Sequence, residues 1–235
     1  MPVHIGGYLR QKYFFRHLKR LPVGSFQRVL DAGCGNGVYS FALARKYSHL
    51  TIVSYDINSF DSWKNPPKNI TFQQLDLSQM QDKDRYDFCL CIDVMEHIPN
   101  NRMVMERIHS ALKPGGYFFL HIPRPDRYAK HFFPERLYKE FEEWSRDEHI
   151  GKRYSIEEIR EILASIGFDI ATAHCTFNFW GRLAWELDRI TDRNLLPKVI
   201  LTPFMKLFAT MDIWLPKSTK GAVLVIAQKP LHKNA

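Results

Sequence analysis

The sequence predicts an α/β fold: a mostly parallel sheet covered by helices on both faces. Three observations carry this. The stretch Val29 to Gly37 (VLDAGCGNG) runs from branched apolar residues through an acid into three closely spaced glycines, and an apolar, helix-compatible run follows from Val38 to Tyr47. That is strand, tight turn, helix. Short strand-like runs recur further on: Leu50 to Tyr55 (LTIVSY), Ile70 to Leu77 (ITFQQLDL), Tyr86 to Asp93 (YDFCLCID) and Tyr117 to Ile122 (YFFLHI). The third of these is almost continuously apolar, as a central parallel strand covered on both faces must be. Acids stand at or just beyond the strand ends, at Asp31, Asp56, Asp76 and Asp93.

The glycine turn carries the first chemistry. Gly33, Gly35 and Gly37 suit a turn with unusual backbone angles that a ligand must approach closely. The amides opening the next helix supply donors and a partial positive charge. A dinucleotide loop spaces its glycines as G-x-G-x-x-G, but here the third comes one place early and Val38 takes the dinucleotide position. Asp31 also points away from a pyrophosphate, because like charges in a pocket repel. An acid there suits a ligand carrying a sulfonium or an ammonium. Asp56 lies about 20 residues past the loop, where an α/β nucleotide site places the carboxylate that receives ribose hydroxyls.

The remaining elements follow from period and punctuation. Tyr8 to Leu21 alternates Leu9, Tyr13, Phe14 and Leu18 with Arg10, Lys12, Arg16 and Lys19, an amphipathic helix. It reads either as packing over a sheet edge or as a cap over the ligand mouth. NSFDSWKNPPKN is a polar loop after the second strand. Pro99 fits a first helical turn, and Val104, Ile108, Ala111 and Leu112 continue at helical spacing until Lys113-Pro114-Gly115-Gly116 turns the chain into the fifth strand. Ser155 and Glu158 form a capping box for a helix with an Ile156, Ile159, Ile162, Leu163, Ile166 stripe, closed by Gly167. Strands are expected near Asp169 to Thr176 and over Gly221 to Lys229.

The motif Asp31-Ala32-Gly33-Cys34-Gly35-Asn36-Gly37, the ordered acids and the LKPGG turn before an aromatic strand resemble the class I S-adenosylmethionine-dependent methyltransferases over roughly residues 8 to 170. The resemblance implies a Rossmann-like, seven-stranded, mostly parallel sheet. Its last strand would insert antiparallel between strands five and six, with an N-terminal cap helix and a helical insertion before that strand. It implies S-adenosyl-L-methionine as cofactor and S-adenosyl-L-homocysteine as product. The cofactor would be held by Asp31, Gly33, Gly35, Gly37, Asp56, by Asp76 and Leu77 at the adenine, and by Asp93. The acceptor is expected to be a small molecule, hydrophobic or linked to a sugar or lipid. A cofactor-fold interaction protein without turnover, or an enzyme acting on protein or RNA, is the competing reading.

A base is useful where the acceptor is a hydroxyl or a carbon acid, and histidine is the natural one near neutral pH. His97, His121 and His149 are the candidates placed to reach the pocket. Nucleic acid is disfavoured, because Asp93 is followed by Val94 and Met95 rather than by the Pro-Pro-aromatic turn of amino-methylating nucleic-acid enzymes.

The 235 residues suit one methyltransferase domain, divided as cap 1–25, cofactor core 26–176, insertion 177–216, and last strand with tail 217–235. The net charge of +8 reads as a soluble basic surface. Cys34, Cys89, Cys91 and Cys175 show no disulfide framework and no zinc spacing, so thiols in a reducing cytoplasm and no metal are expected. Phe177 to Pro216 departs from the short strand-six to strand-seven turn usual in the family. Trp180, Leu183, Ala184, Leu187 and Ile190 share one helical face, and Val199 to Leu215 is heavily apolar. The insertion reads as a helical pair sealing the substrate cavity of a monomer or making a homodimer, or as an interfacial surface for peripheral membrane contact or a lipid-tail channel. Lys206 and Asp212 argue against a spanning helix.

Overall fold

The computed structural model describes residues 4–125, 132–137, 147–192, 194–215 and 221–231. Seven strands, β1 (Arg28–Ala32), β2 (Thr51–Asp56), β3 (Ile70–Gln74), β4 (Tyr86–Ile92), β5 (Leu112–Pro123), β6 (Asp169–Thr176) and β7 (Ala222–Gln228), form one sheet in the order β3-β2-β1-β4-β5-β7-β6. The first five pair in parallel. The amide of Gly115 donates to the carbonyl of Lys229 at 2.8 Å, and that of Arg124 to Gly221 at 3.3 Å, so β7 runs antiparallel to β5. The expected insertion of the last strand between the fifth and sixth is what the sheet shows.

Six helices are described: α1 (Ile5–Leu18), α2 (Val38–Lys46), α3 (Asn101–Ala111), α4 (Ile156–Ile166), α5 (Phe179–Thr191) and α6 (Leu195–Trp214). The capping box at Ser155 and Glu158 is formed in both directions, and Gly167 closes α4 in the left-handed conformation. Helix α3 starts at Asn101, so Pro99 lies outside it rather than in its first turn. The fifth strand begins at Leu112, earlier than the LKPGG turn suggested. A register irregularity between Tyr86 and Phe88 absorbs the turn within the pairing.

The chain forms two compact units, Gly24–Ile122 with Ile150–His174 and Val223–Ala235, and Met1–Val23 with Pro123–His149 and Cys175–Ala222. The first is organised on the sheet. Leu30, Cys89, Cys91, Phe118, Leu120, Val223 and Val225 are buried in its core together with Val104, Ile108 and Leu163 from α3 and α4. Cys89 and Cys91 are thiols there, as expected.

The second unit holds α1, α5 and α6, so the N-terminal helix packs on the insertion helices. Its interior mixes fully buried apolar side chains, among them Ile5, Leu9, Phe14, Ala184, Met205 and Ala209, with buried charged ones. Glu186, Asp188 and Asp212 are at most 1% exposed, whereas Trp180, Leu183, Leu187 and Ile190 are only half-buried. Each of these buried acids has partners. Asp212 accepts from the Tyr13 hydroxyl (2.8 Å) and the amides of Asn178 (3.1 Å) and Gly181 (2.8 Å). Asp188 accepts from the Ile5 amide at 3.0 Å and pairs with Lys198 at 3.3 Å. Glu186 accepts from Arg182 (3.0 Å) and from the Phe132 amide (2.8 Å). Burial, with Asp212 beside it, pushes the Tyr13 hydroxyl pKa up, so Tyr13 stays a donor. Buried charges persist only when paired and hydrogen-bonded.

Asp212→Ala strands three buried donors at once. It is expected to cost about 3 kcal/mol or more, read as a lowered urea midpoint with near-unchanged slope. An unshifted midpoint would show that the three contacts are not what holds α1 to α5 and α6.

Candidate functional site

Four adjacent parallel strands bring their carboxyl ends to one edge of the sheet, in the order β3, β2, β1, β4. The chain leaves β1 toward β2 and β3 and then crosses to β4 on the other side. The carboxyl edge between β1 and β4 is therefore a topological switch point, where open α/β sheets bind ligands.

The glycine turn sits there and is fastened to the end of β2. The amides of Gly33 and Cys34 both donate to the Tyr55 carbonyl (2.8 and 3.0 Å), and the Gly35 amide donates to Asp56 Oδ2 at 2.8 Å. Gly33 and Gly35 have φ of 79° and 51°, the left-handed region that other residues enter at a cost. The two differ in surroundings. A Cβ on Gly33 would run into Val94, while one on Gly35 would meet nothing within 4 Å. Gly33 is glycine for packing, and Gly35 leaves the main chain open to approach.

Asp56 is half-buried at the tip of β2, with Oδ1 accepting from the Asn58 amide at 3.0 Å. A carboxylate offers about four lone-pair sites, so two remain after these bonds. Asp31 is placed differently. It is 3% exposed and turned beneath the turn, where Oδ2 accepts from the Ser40 hydroxyl at 2.6 Å and Ser40 meets Ser54 Oγ at 2.7 Å. The trio stitches α2 to β1 and β2. Burial raises the Asp31 carboxyl to about 7, partly opposed by the bonds from Ser40. Burial likewise pushes the Cys34 thiol up, with Asp31 and Asp56 adding to it, so it remains a thiol rather than a nucleophile.

Beyond β3, Asp76 caps a single turn by accepting from the Ser78 amide at 2.8 Å, and Leu77 is buried in the core. At the end of β4, Asp93 has φ of 53°, and its amide donates to the His121 carbonyl at 2.9 Å. Its Oδ1 lies 2.6 Å from Nδ1 of His121, which is 2% exposed on β5. A left-handed aspartate tied to a buried histidine is the kind of backbone outlier that collects at functional sites. His97 is half-buried in the turn after β4, beside the buried Glu96. His149 is half-buried in the helical unit. Of the three candidate histidines, the structure joins His121 to one of the predicted acids.

One contribution escaped the sequence reading. The polar loop after β2 folds back on the glycine turn. The Trp63 indole N–H donates to the Gly35 carbonyl (2.9 Å) and the Ser62 hydroxyl to the Asn36 carbonyl (2.9 Å), while the Trp63 ring stacks on Phe72 at 5.1 Å. Phe60 and Trp63, two aromatics in an otherwise polar stretch, were the available signal.

The methyltransferase domain family matches residues 7–173, and the chain belongs to that family. Among curated relatives, the ubiquinone biosynthesis O-methyltransferase of Coxiella burnetii is 30% identical over 123 residues, which is 50% of this chain and 51% of the relative. The protein of that name from Aeromonas salmonicida is 29% identical over 107 residues, 40% of this chain and 42% of the relative. The chain spans about half the length of the curated relatives it matches. Among solved structures, phosphoethanolamine N-methyltransferase 2 of Haemonchus contortus, in complex with S-adenosyl-L-methionine, superposes with a TM-score of 0.59 at 20% identity, covering 87% of this chain and 49% of that one. The 1,6-didemethyltoxoflavin-N1-methyltransferase of Burkholderia thailandensis, with S-adenosylhomocysteine bound, gives 0.59 at 16% identity, covering 94% and 78%. At these identities the likeness is one of fold.

The raised Asp31 carboxyl sets a pH dependence. A folded-state pKa above the unfolded value means the folded chain holds the proton longer, so stability falls as pH rises from about 4, the unfolded value, to about 7. Asp31→Asn keeps an oxygen acceptor for Ser40 and cannot ionise. Urea denaturation should show wild type losing stability relative to Asp31→Asn across that window. Parallel profiles would mean that Asp31 ionises in the folded protein as freely as in the unfolded chain.

Proposed function

We propose that the protein transfers the methyl group of S-adenosyl-L-methionine to a hydroxyl of a small, hydrophobic acceptor at the membrane periphery. The observation that carries the methyl-donor part of this reading is the pairing of an open main chain at Gly35 with the Asp56 carboxylate at the switch point. The residues present fit an adenosyl group: Asp56 keeps lone pairs for two vicinal hydroxyls, and Gly35 has room for close approach. When bound, the cofactor supplies an activated methyl group on sulfur.

The chain's own residues do the rest. Asp31, Ser40 and Ser54 hold the turn rigid from beneath, and Trp63 and Ser62 hold it from the side. Asp76 and Leu77 would border the base and Asp93 the methionine end. Asp93 accepting from Nδ1 of His121 leaves Nε2 as the basic nitrogen, the arrangement by which a carboxylate selects a histidine tautomer. That nitrogen would take the proton of a hydroxyl acceptor, with His97, in the turn after β4, the alternative. Oxygen as the accepting atom agrees with the names of the curated relatives. The aromatic and charged run from Pro123 to Arg153, which contains His149, would wall the acceptor site, and much of it is outside the described residues.

The test is calorimetry of purified protein with S-adenosylhomocysteine. Affinity is expected, and Asp56→Ala should weaken it by about 1–3 kcal/mol, the scale of losing hydrogen bonds to a charged group. No measurable affinity in the wild type overturns the assignment. For the base, His121→Gln should lower kcat on a hydroxyl acceptor by about 10²–10⁴ with product affinity and melting temperature near wild type. A kcat unchanged by that substitution removes His121 from the chemistry.

A further inference from the structure

Helix α6 is inside out. Every one of its exposed residues is apolar, and Leu196, Val199, Ile200, Phe204, Leu207 and Trp214 are each more than half exposed, up to 74% at Trp214. At 100° per residue these six fall within one half of the helix circumference. Two of its charged residues face the other way: Lys198 is buried in a pair with Asp188, and Asp212 is buried against the Tyr13 hydroxyl and the Gly181 amide. Lys206 borders the face and lies over the Tyr8 ring at 5.8 Å. A surface helix ordinarily has the reverse arrangement, and an apolar face of this length marks an interaction site.

Charge identifies the occupant. The unit containing α6 has 18 Lys and Arg against 11 Asp and Glu, so it holds +7 of the chain's +8. Residues 1–23 contain five Lys and Arg and no acid, and Lys12, Lys19 and Arg20 are exposed. Arg16 stacks over the exposed Trp214 ring at 4.3 Å and donates to the Ile213 carbonyl at 3.1 Å, so the basic helix adjoins one end of the apolar face. A second copy docked face to face would bring two +7 units together. An anionic bilayer surface complements both features, taking the apolar side chains below the headgroups and the cations among them. Among the described residues no helix is long and apolar enough to cross a membrane, which fits a helix lying in the interface.

We infer that the exposed face of α6 docks on an anionic lipid bilayer, with the basic residues of α1 on its headgroups. This rests on the peripheral-membrane part of the proposed function and is independent of methyl transfer. The experiment is sedimentation of the full chain with phosphatidylcholine vesicles, with and without phosphatidylglycerol. Wild type should sediment with the mixed vesicles, more weakly with the neutral ones, and less as salt rises. The variant Ile200→Ser/Phe204→Ser/Leu207→Ser should lose at least about tenfold in partitioning. Lys12→Gln/Lys19→Gln/Arg20→Gln should lose the preference for anionic vesicles. Should the serine variant fail to fold, Trp214 reports instead: a vesicle-induced blue shift in wild type that Trp214→Phe lacks supports the docking, and an equal shift in both overturns it. Binding retained by the folded serine variant overturns α6 as the docking face and leaves membrane contact standing, whereas no binding to any vesicle removes both. A wild-type dimer that the serine substitutions dissociate, with no vesicle binding, assigns the face to a second copy.

Discussion

The site depends on one short set of hydrogen bonds, those tying the glycine turn to the end of the second strand. Gly33 and Cys34 donate to the Tyr55 carbonyl, and Gly35 donates to Asp56. A turn of left-handed residues has lost its local ladder, so its amides must find partners elsewhere or remain costly. The next parallel strand supplies them, which places the turn and the Asp56 carboxylate in one fixed relation. Ser40 and Trp63 then act on an arrangement already set, one beneath the turn and one beside it. Because Asp56 also serves the turn, loop geometry and any contact to a bound ribose are coupled through one carboxylate.

The helical unit solves a different problem. Beside buried apolar side chains such as Leu9, Phe14 and Met205, its interior holds ion pairs and hydrogen bonds around Glu186, Asp188 and Asp212. Such a core is directional. It fixes which residues of α1, α5 and α6 meet, and it tolerates little sliding, since moving one partner strands a buried charge. Tyr13 shows the effect, with its hydroxyl pinned to Asp212 from a helix 199 residues away in sequence.

Much of the sheet unit was legible in the sequence, because its signals are local. The spacing of Gly33, Gly35 and Gly37 announced the turn, and Asp56 stands at the tip of β2 where its spacing put it. The Ser155 capping box and Gly167 bounded a helix without any tertiary information. The site was legible only in part. Asp31 looked like a ligand contact, yet its carboxylate is buried against Ser40, whose hydroxyl gave no sign of being 2.6 Å away. Trp63 was read as one residue of a polar loop, and its role appears only once β2 and β3 bring Phe72 and Gly35 beside it.

By itself the sequence determined the order of strands and helices, the chemistry of the turn and the acids along the strand ends, because period, glycine and spacing act over a few residues. Tertiary structure alone decided which of those groups meet. Pairing of β4 with β5 set Asp93 against His121, and the packing of three helices put charge inside and apolar side chains outside on α6. The physical reason is that a hydrogen bond or ion pair between distant residues leaves no periodic mark in the chain, and burial of a charged side chain becomes favourable only when its partner arrives from elsewhere.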